Sequence, residues 1–381
     1  MKNLSLYSSD SADLSSFFNF CLSNDILLKN IASSSINQVT FLNAQVESLE
    51  SGELESLLLW AEKYDSEIEV TDFEDAKSTD ILTVFDYKGD ALQKVLELLS
   101  HEAAILLSIK ELSSTEKQNV YSLELAVDDR ATFKDLFKKF AQENEFDFAL
   151  IPDNQYKKRR RLVAFDMDST LIECEFIDEI AKRTSPEVGQ MIADVTAAAM
   201  RGEIDFQESF RKRVAALKGL SSQVLQDINE SLPLMEGMPR LVKTLKKAGI
   251  KTVILSGGMQ QCGDYLQQQY GFDHVYANHL GMTDEILNGE VNGDIVDGQR
   301  KADLLELIAN AEGFSLEECT VIGDGANDLP MINKAGLGVA FHPKPIVYDQ
   351  APNAITKTGL DGLLYILGFS DAEVDEILAA E

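Results

Sequence analysis

LVAFDMDST, residues 162–170, is the most informative segment of this 381-residue chain. Four apolar residues predict a short buried β-strand, and two carboxylates follow it at once. Residues two apart on an extended segment project to the same side, so Asp166 and Asp168 can face one ligand. Paired carboxylates at a strand end suit a metal ion together with a division of labour between nucleophile and general acid/base.

Three more apolar segments of the same kind follow this strand along the chain. They are KTVIL, CTVIG and LGVAF, each separated from the next by helical patterns. This alternation predicts an α/β fold with a doubly wound parallel sheet. Ligands of such sheets bind at the carboxyl ends of the strands, so chemically active residues are expected there.

Further groups of this kind follow the later strands. Ser256-Gly257-Gly258 ends KTVIL and offers a hydroxyl and backbone N–H groups to a phosphate. Lys301 opens a helix and can neutralise a phosphoryl group as a point charge. The segment 323–328, GDGAND, follows CTVIG and supplies Asp324, Asn327 and Asp328, oxygen ligands that suit Mg²⁺. Each group alone has an ordinary structural explanation, but together they predict a site for phosphoryl transfer.

The order DxDST, SGG, K and GDGAND resembles that of the haloacid dehalogenase superfamily, and within it the phosphoserine phosphatases. The resemblance covers residues 160–370. It implies Asp166 as nucleophile and Asp168 as general acid/base. It further implies that Ser256, Gly257 and Lys301 hold the phosphoryl group. Mg²⁺ would be bound by Asp166, Asp324 and the carbonyl of Asp168, with Asn327 and Asp328 in support.

The segment from Glu175 to about Leu234 resembles the helical cap that gives these enzymes their specificity. The resemblance implies apolar walls from Met200 and Phe206, an arginine clamp for the substrate carboxylate at Arg213, and Glu175 for the ammonium. L-Phosphoserine carries a phosphate, a carboxylate and an ammonium, which these groups would match. An arginine binds a carboxylate with two parallel hydrogen bonds, which a lysine cannot do. For Arg213, a solvated helix face beside Arg211 and Lys212 remains an alternative.

Two smaller units are predicted before the phosphatase domain of residues 162–381. Residues 77–152 have a βαββαβ pattern, and residues 1–76 carry a fainter copy of it. Both resemble the ACT-type regulatory domains of some members of the family. We expect them to support a homodimer rather than to bind serine. A basic run, KKRRR at 157–161, lies in a segment (153–161) interpreted as a solvated linker.

Composition limits the partners. The formal net charge of −30 argues against nucleic acid and against anionic membranes, because both bind basic faces. No signal peptide and no apolar run of membrane-spanning length are found, so we expect a cytoplasmic protein acting on a small molecule. The four cysteines are expected to be free thiols.

Two other functions fit parts of the pattern. A phosphotransferase that passes the phosphoryl group to an alcohol such as homoserine would keep every motif. A non-catalytic amino-acid sensor would have no need of Asp168, so the presence of this general acid favours an enzyme. The resemblance implies removal of phosphate from L-phosphoserine, the last step of serine biosynthesis, as the expected reaction.

Overall fold

The computed structural model describes residues 2–8, 28–36, 39–46, 51–64, 66–72, 78–101, 104–156 and 160–380, with residues 17, 20, 21, 23 and 26. The chain divides into two compact units. One is Met1–Lys157 with Gly368–Asp371, and the other is Lys158–Leu367 with Ala372–Glu381. Among the described residues, no helix has the length and apolar character needed to cross a membrane.

The larger unit is built on a mixed sheet. Its strands are β9 (Leu162–Phe165), β10 (Lys251–Met259), β11 (His274–Thr283), β12 (Ile286–Asn292), β13 (Cys319–Gly323), β14 (Leu337–Phe341) and β15 (Ala354–Ile355). Their order across the sheet is β12-β11-β10-β9-β13-β14-β15. All neighbours are parallel except β11 and β12, which form an antiparallel hairpin at one edge. The parallel α/β sheet predicted from the sequence is thus confirmed, and the hairpin was not foreseen.

Helices follow most of these strands. They are α4 (Phe176–Ala181), α5 (Pro186–Met200), α6 (Phe206–Ala216), α7 (Ser222–Asn229), α8 (Met238–Lys247), α9 (Gln260–Tyr270), α10 (Gly298–Glu312), α11 (Leu329–Lys334), α12 (Pro345–Gln350), α13 (Gly362–Ile366) and α14 (Asp371–Ala379). Every residue of β9 is fully buried, which identifies it as the centre of the core. Burying an aliphatic or aromatic side chain stabilises by roughly 1.5–3 kcal/mol, so the four-residue strand is anchored despite its length.

Helices α4 to α7 lie between β9 and β10 and form the predicted helical cap. Side chains define where its helices begin: Ser185 accepts a hydrogen bond from Val188 N before α5, and Asp205 accepts one from Glu208 N before α6. The turn between α6 and α7 also joins the edge hairpin. Gly219 N donates to Leu287 O and Leu287 N donates to Leu220 O, both at 2.8 Å.

The smaller unit contains two antiparallel sheets over its described residues. The first has β1 (Lys2–Ser8), β2 (Leu28–Ile36), β3 (Val39–Val46), β4 (Ser66–Asp72) and α1 (Ser51–Lys63). The second has β5 (Asp80–Asp86), α2 (Ala91–His101), β6 (Ala104–Ser114), β7 (Asn119–Val127), α3 (Arg130–Asn144) and β8 (Asp147–Pro152). The sheet orders are β2-β3-β1-β4 and β6-β7-β5-β8. The predicted βαββαβ element order is confirmed in the second; most of the first predicted helix (13–24) lies outside the described residues.

The basic run between the units differs in part from the solvated linker expected. Lys157, Lys158 and Arg159 lie outside the described residues. Arg160, however, is buried, and its guanidinium donates to the carbonyls of Glu317 and Gly336. A long cationic side chain can be buried when backbone carbonyls receive its N–H groups, which composition alone does not reveal.

Candidate active site

The register of the central strands brings the predicted groups to one edge of the sheet. Phe165 pairs with Ile254 of β10 on one side and with Ile322 of β13 on the other. Asp166 and Asp324 therefore follow β9 and β13 directly, and Ser256 lies in the last part of β10, all within one or two residues of the same level. Asp166 N still donates to Ile322 O at 2.9 Å, which holds its side chain at the carboxyl end of β9.

The chain turns sharply after β9 and presents Asp166 and Asp168 to the same cavity. Met167 between them is fully buried. Ser169 then takes a positive φ of 57°, which reverses the chain. Asp168 Oδ1 accepts a hydrogen bond of 2.9 Å from Phe176 N, the first N–H of α4, so this carboxylate is oriented by the start of the cap.

Lys301 is the cation at the centre of the site. Its side chain is fully buried, and Nζ lies 2.7 Å from Asp166 Oδ1 and 2.7 Å from Asp328 Oδ1. Asp297 fixes the helix that carries it, since Asp297 Oδ1 accepts from Arg300 N at 2.9 Å and caps α10. The sequence predicted the lysine but gave Asp328 only a supporting part, whereas the structure makes Asp328 its second partner.

The carboxylates outnumber the cation, and their pKa values reflect it. Burial, then the charge of Asp328, raise the pKa of Asp166 well above its usual value despite Lys301. Burial and Glu175 raise the pKa of Asp168 to about 7, and burial with Asp328 raises the pKa of Asp324 to about 7. Burial alone would lower the pKa of Lys301, but Asp166 and Asp328 outweigh it and raise that pKa. Negative charge therefore exceeds positive charge at this site, which favours the binding of a further cation.

The loop after β13 gathers the acidic oxygens. Oxygen atoms of Asp166, Asp324 and Asp328 lie within 4.8 Å of one another, a spacing that a single metal ion can bridge. Asp328 Oδ2 also accepts a hydrogen bond of 3.0 Å from Gly325 N, which shapes the loop. The side-chain carboxylate of Asp168 is not part of this cluster. Asp168 would contact a metal ion through its backbone carbonyl, as the sequence resemblance implies.

Two glycines let the cap and the acids approach the end of β10. A Cβ on Gly258 would collide with Asp168 Oδ2, and a Cβ on Gly257 would lie 2.9 Å from Phe206 Cζ. Gly258 N donates to Ser256 Oγ at 2.8 Å. The predicted Ser-Gly-Gly segment thus lies directly beneath both the general-acid candidate and the cap.

The cap lines one side of a cavity of about 600 Å³ that also contains these groups. Glu175, Phe206 and Arg213 line it, together with Asn327 from the acidic loop. Arg213 is largely buried, its Nε has no hydrogen-bond partner among the described residues, and burial lowers its pKa. Met200 is the last residue of α5, and its side chain lies outside the described residues.

Several cavity residues were not predicted from the sequence. They are Ser169, Asp178, Thr196, Ser209, Lys344 and Ile346. Ser209 lies one helical turn before Arg213, so the spacing of α6 could have suggested it. Lys344 and Ile346 follow β14, and the rule that ligands bind at strand ends could have suggested them.

A direct hydrogen bond links the cap to the lysine helix. Gln207 Nε2 donates to Asp297 Oδ2 at 2.7 Å, while the other oxygen of the same carboxylate caps α10. Neighbouring Phe206 packs over Gly257. The cap therefore contacts both the Ser-Gly-Gly segment and the start of the lysine helix through the first turn of α6.

Comparison with known proteins places this geometry in a family context. The family model for haloacid dehalogenase-like hydrolases matches residues 163–333. The phosphoserine phosphatase of Archaeoglobus fulgidus is 40% identical over 250 residues, which cover 65% of this chain and 72% of that protein. The phosphoserine phosphatase of Haemophilus influenzae is 43% identical over 235 residues, covering 62% and 74%.

A solved structure extends the similarity beyond the matched family region. The unliganded structure of a probable phosphoserine phosphatase from Vibrio cholerae superposes with a TM-score of 0.61 at 34% sequence identity. The alignment covers 81% of this chain and 92% of that one.

Proposed function

The chain belongs to the phosphoserine phosphatases of the haloacid dehalogenase-like hydrolases, and from this premise we propose how its own residues remove phosphate from L-phosphoserine. The observation that carries the proposal is the contact between Lys301 Nζ and Asp166 Oδ1 at 2.7 Å, with Asp168 facing the same cavity. A nucleophile, a neutralising cation and a general acid thus meet at one edge of the sheet.

The acidic cluster fits a magnesium ion. Asp166, Asp324 and Asp328 offer hard oxygen ligands, and their charges exceed what Lys301 neutralises. We propose that Asp166 and Asp324, with the Asp168 carbonyl, hold Mg²⁺, and that Asp328 orients Lys301 and the loop. When bound, the ion withdraws negative charge from the phosphoryl oxygens and keeps Asp166 ionised.

The first step forms an aspartyl-phosphate. A carboxylate oxygen of Asp166 attacks phosphorus in line, and the bond between phosphorus and the serine oxygen breaks. Asp168, whose pKa is raised by burial and by Glu175, gives its proton to the departing serine oxygen. Ser256, the backbone N–H groups beside it and Lys301 hold the phosphoryl oxygens throughout.

The second step returns the enzyme to its starting state. Asp168 removes a proton from water, and the water oxygen attacks phosphorus. The bond between phosphorus and Asp166 breaks, inorganic phosphate leaves, and Asp168 is again protonated. Fixed groups that line the cavity supply most of the rate by positioning and electrostatics.

The cap recognises the amino-acid end of the substrate. Arg213 Nε has no partner in the described structure, so its guanidinium is available to a carboxylate. Glu175 accepts a hydrogen bond of 3.2 Å from Ser169 Oγ and is otherwise placed to receive an ammonium. Phe206 and Met200 are proposed as the apolar walls, and Asn327 as a further substrate contact. The ACT-like nature of the N-terminal units, the homodimer and the cytoplasmic location stay predictions from the sequence.

Substrate selectivity tests the proposal. Phosphate release would be measured from L-phosphoserine, D-phosphoserine, phosphothreonine and p-nitrophenyl phosphate, with Mg²⁺ and with EDTA. We expect metal-dependent release with strong preference for L-phosphoserine, and Arg213→Ala should remove that preference while p-nitrophenyl phosphate is still cleaved. Equal rates on all substrates would contradict the roles of Arg213 and Glu175, and release unaffected by EDTA would contradict the metal.

A further inference from the structure

Asn278 of β11 is a buried amide that bridges two segments of the site. It is 1% exposed. Its Nδ2 donates to Gly257 O at 2.9 Å, and its Oδ1 accepts from Val296 N at 2.8 Å. Gly257 belongs to the Ser-Gly-Gly segment, and Val296 immediately precedes Asp297, which caps the lysine helix. No sequence motif singled this residue out.

The first hydrogen bond controls the orientation of a peptide group. The carbonyl of Gly257 and the N–H of Gly258 belong to one rigid peptide plane. Asn278 holds the carbonyl end, and the N–H end donates to Ser256 Oγ at 2.8 Å. Because Ser256 Oγ then accepts a hydrogen bond from the backbone, its own O–H proton is left for a phosphoryl oxygen.

The second hydrogen bond fixes the start of the lysine helix. Val296 N is held by Asn278, and Lys301 N donates to the carbonyl of Asp297 at 2.9 Å. From there the Lys301 side chain reaches Asp166. The position of β11 is itself fixed, since Ala277 N donates to Gln260 Oε1 at 2.8 Å.

We propose that Asn278 is a positioning residue. It sets the distance and orientation between the Ser256 hydroxyl and the Lys301 ammonium, the two groups that contact the phosphoryl group. The proposal rests on the proposed function, because both groups act on the phosphoryl oxygens. It assigns to one amide the alignment of two elements that follow different strands. Both side-chain hydrogen bonds of Asn278 go to segments at the phosphoryl end of the site.

Asn278→Asp tests this assignment. The variant keeps the size of the side chain and the acceptor for Val296 N, but an ionised carboxylate cannot donate to Gly257 O. We expect kcat to fall about 10- to 100-fold, the scale found when groups that orient active-site ligands are altered. Misalignment in the transition state lowers kcat, so KM should change by less than about threefold. The loss should be the same for L-phosphoserine and p-nitrophenyl phosphate.

Asn353→Asp is the matched control. Asn353 is also buried, and its Nδ2 donates to the carbonyl of Gly338 in the same sheet at 3.1 Å. This change should lower the melting temperature, because it breaks a buried hydrogen bond. It should leave kcat within about twofold of wild type, because the bond joins no segment of the site. Asn278→Ser removes the bridge without adding a charge, and it carries the same expectation should the aspartate variant not fold.

The outcomes separate this inference from the proposed function. Unchanged kcat in both Asn278 variants, or an equal loss in Asn353→Asp, would overturn the positioning role. A loss confined to L-phosphoserine would also overturn it, because it would place Asn278 at the amino-acid end. If wild type cleaves p-nitrophenyl phosphate but not L-phosphoserine, the proposed substrate is wrong. The role of Asn278 can then still be tested by measuring kcat for p-nitrophenyl phosphate.

Discussion

Lys301 in α10 and Lys134 in α3 are both withdrawn from water, in different units of the chain, and their surroundings differ. Lys301 is fully buried between two carboxylates, each 2.7 Å from Nζ, and its pKa is raised. Lys134 is half-buried, and burial, then the neighbouring Arg130 and Lys138, lower its pKa to about 8.

The difference shows what sustains a buried charge. Desolvation acts on both ammonium groups in the same direction, but only Lys301 has carboxylates near enough to reverse it. In return, Lys301 keeps two buried carboxylates together, one of which is the proposed nucleophile. The buried charges of the larger unit therefore stabilise one another within the site. The charge of Lys134 is not stabilised in this way and lowers the stability of the fold slightly.

Lys301→Met removes the buried lysine that pairs with two carboxylates, and it has the largest expected effect. Removing one partner of a buried ion pair costs about 3–5 kcal/mol of unfolding free energy, because the remaining charges are left uncompensated. Turnover should be lost with it. Denaturant unfolding in EDTA measures the stability change. Lys334→Met is the control, since Lys334 pairs with Glu306 at the surface and should cost less than about 1 kcal/mol.

Asp168→Asn removes the proton donor and leaves the Lys301 pair intact. General acid/base catalysis contributes about 10²- to 10⁴-fold, so kcat should fall by that factor while the protein stays folded. Steady-state phosphate release measures it. An asparagine variant that turns over at the wild-type rate would exclude Asp168 as the acid.

Gln207→Ala separates the cap from the lysine helix and should have a small effect. The bond to Asp297 is exposed, and a hydrogen bond of this kind contributes about 0.5–1.5 kcal/mol. We expect kcat/KM for L-phosphoserine to fall by about three- to tenfold, with no change in melting temperature, because only cap closure is weakened. Gln223→Ala, which removes an i,i+4 contact to Asp227 on α7, should leave kcat/KM unchanged.

Lys134→Met removes the half-buried lysine of α3, and it has the smallest expected effect. Wild type holds a charge there at pH 7 that burial disfavours, so the variant should gain on the order of 0.5 kcal/mol. The folded pKa is lowered, so the charged lysine costs wild type stability below about pH 8, and that cost disappears as pH rises toward 10.5. Hydrogen exchange in α3 at pH 7 and at pH 10 should therefore show the variant's advantage shrinking.

The strands and loops that carry the chemistry could be predicted because their signals are local. LVAF, KTVIL and CTVIG are apolar segments, and each is followed by residues of unusual chemistry. The edge hairpin was missed because β11 and β12 mix polar and apolar residues, with buried polar positions such as Asn278. Local periodicity gives no sign of a polar side chain that is buried by a bridge between distant segments.

The roles of individual charged residues could be predicted only in part. A lysine near a helix start is usually solvated, and only the register of β9 and β13 brings Asp166 and Asp328 to Lys301. Arg211, Lys212 and Arg213 are alike in sequence, yet only Arg213 lines the cavity, because the docking of α6 determines which face is covered. Such contacts depend on tertiary packing, which no local pattern encodes.

Asp166 is proposed to carry the phosphoryl group during turnover. The direct measurement is an acid quench of enzyme cleaving L-phosphoserine with Mg²⁺, followed by digestion and mass spectrometry of the peptides. We predict one phosphoryl group on the peptide that contains Asp166, and neither the modification nor phosphate release in Asp166→Asn. A phosphoryl group on another side chain, or full turnover by the asparagine variant, would contradict the account.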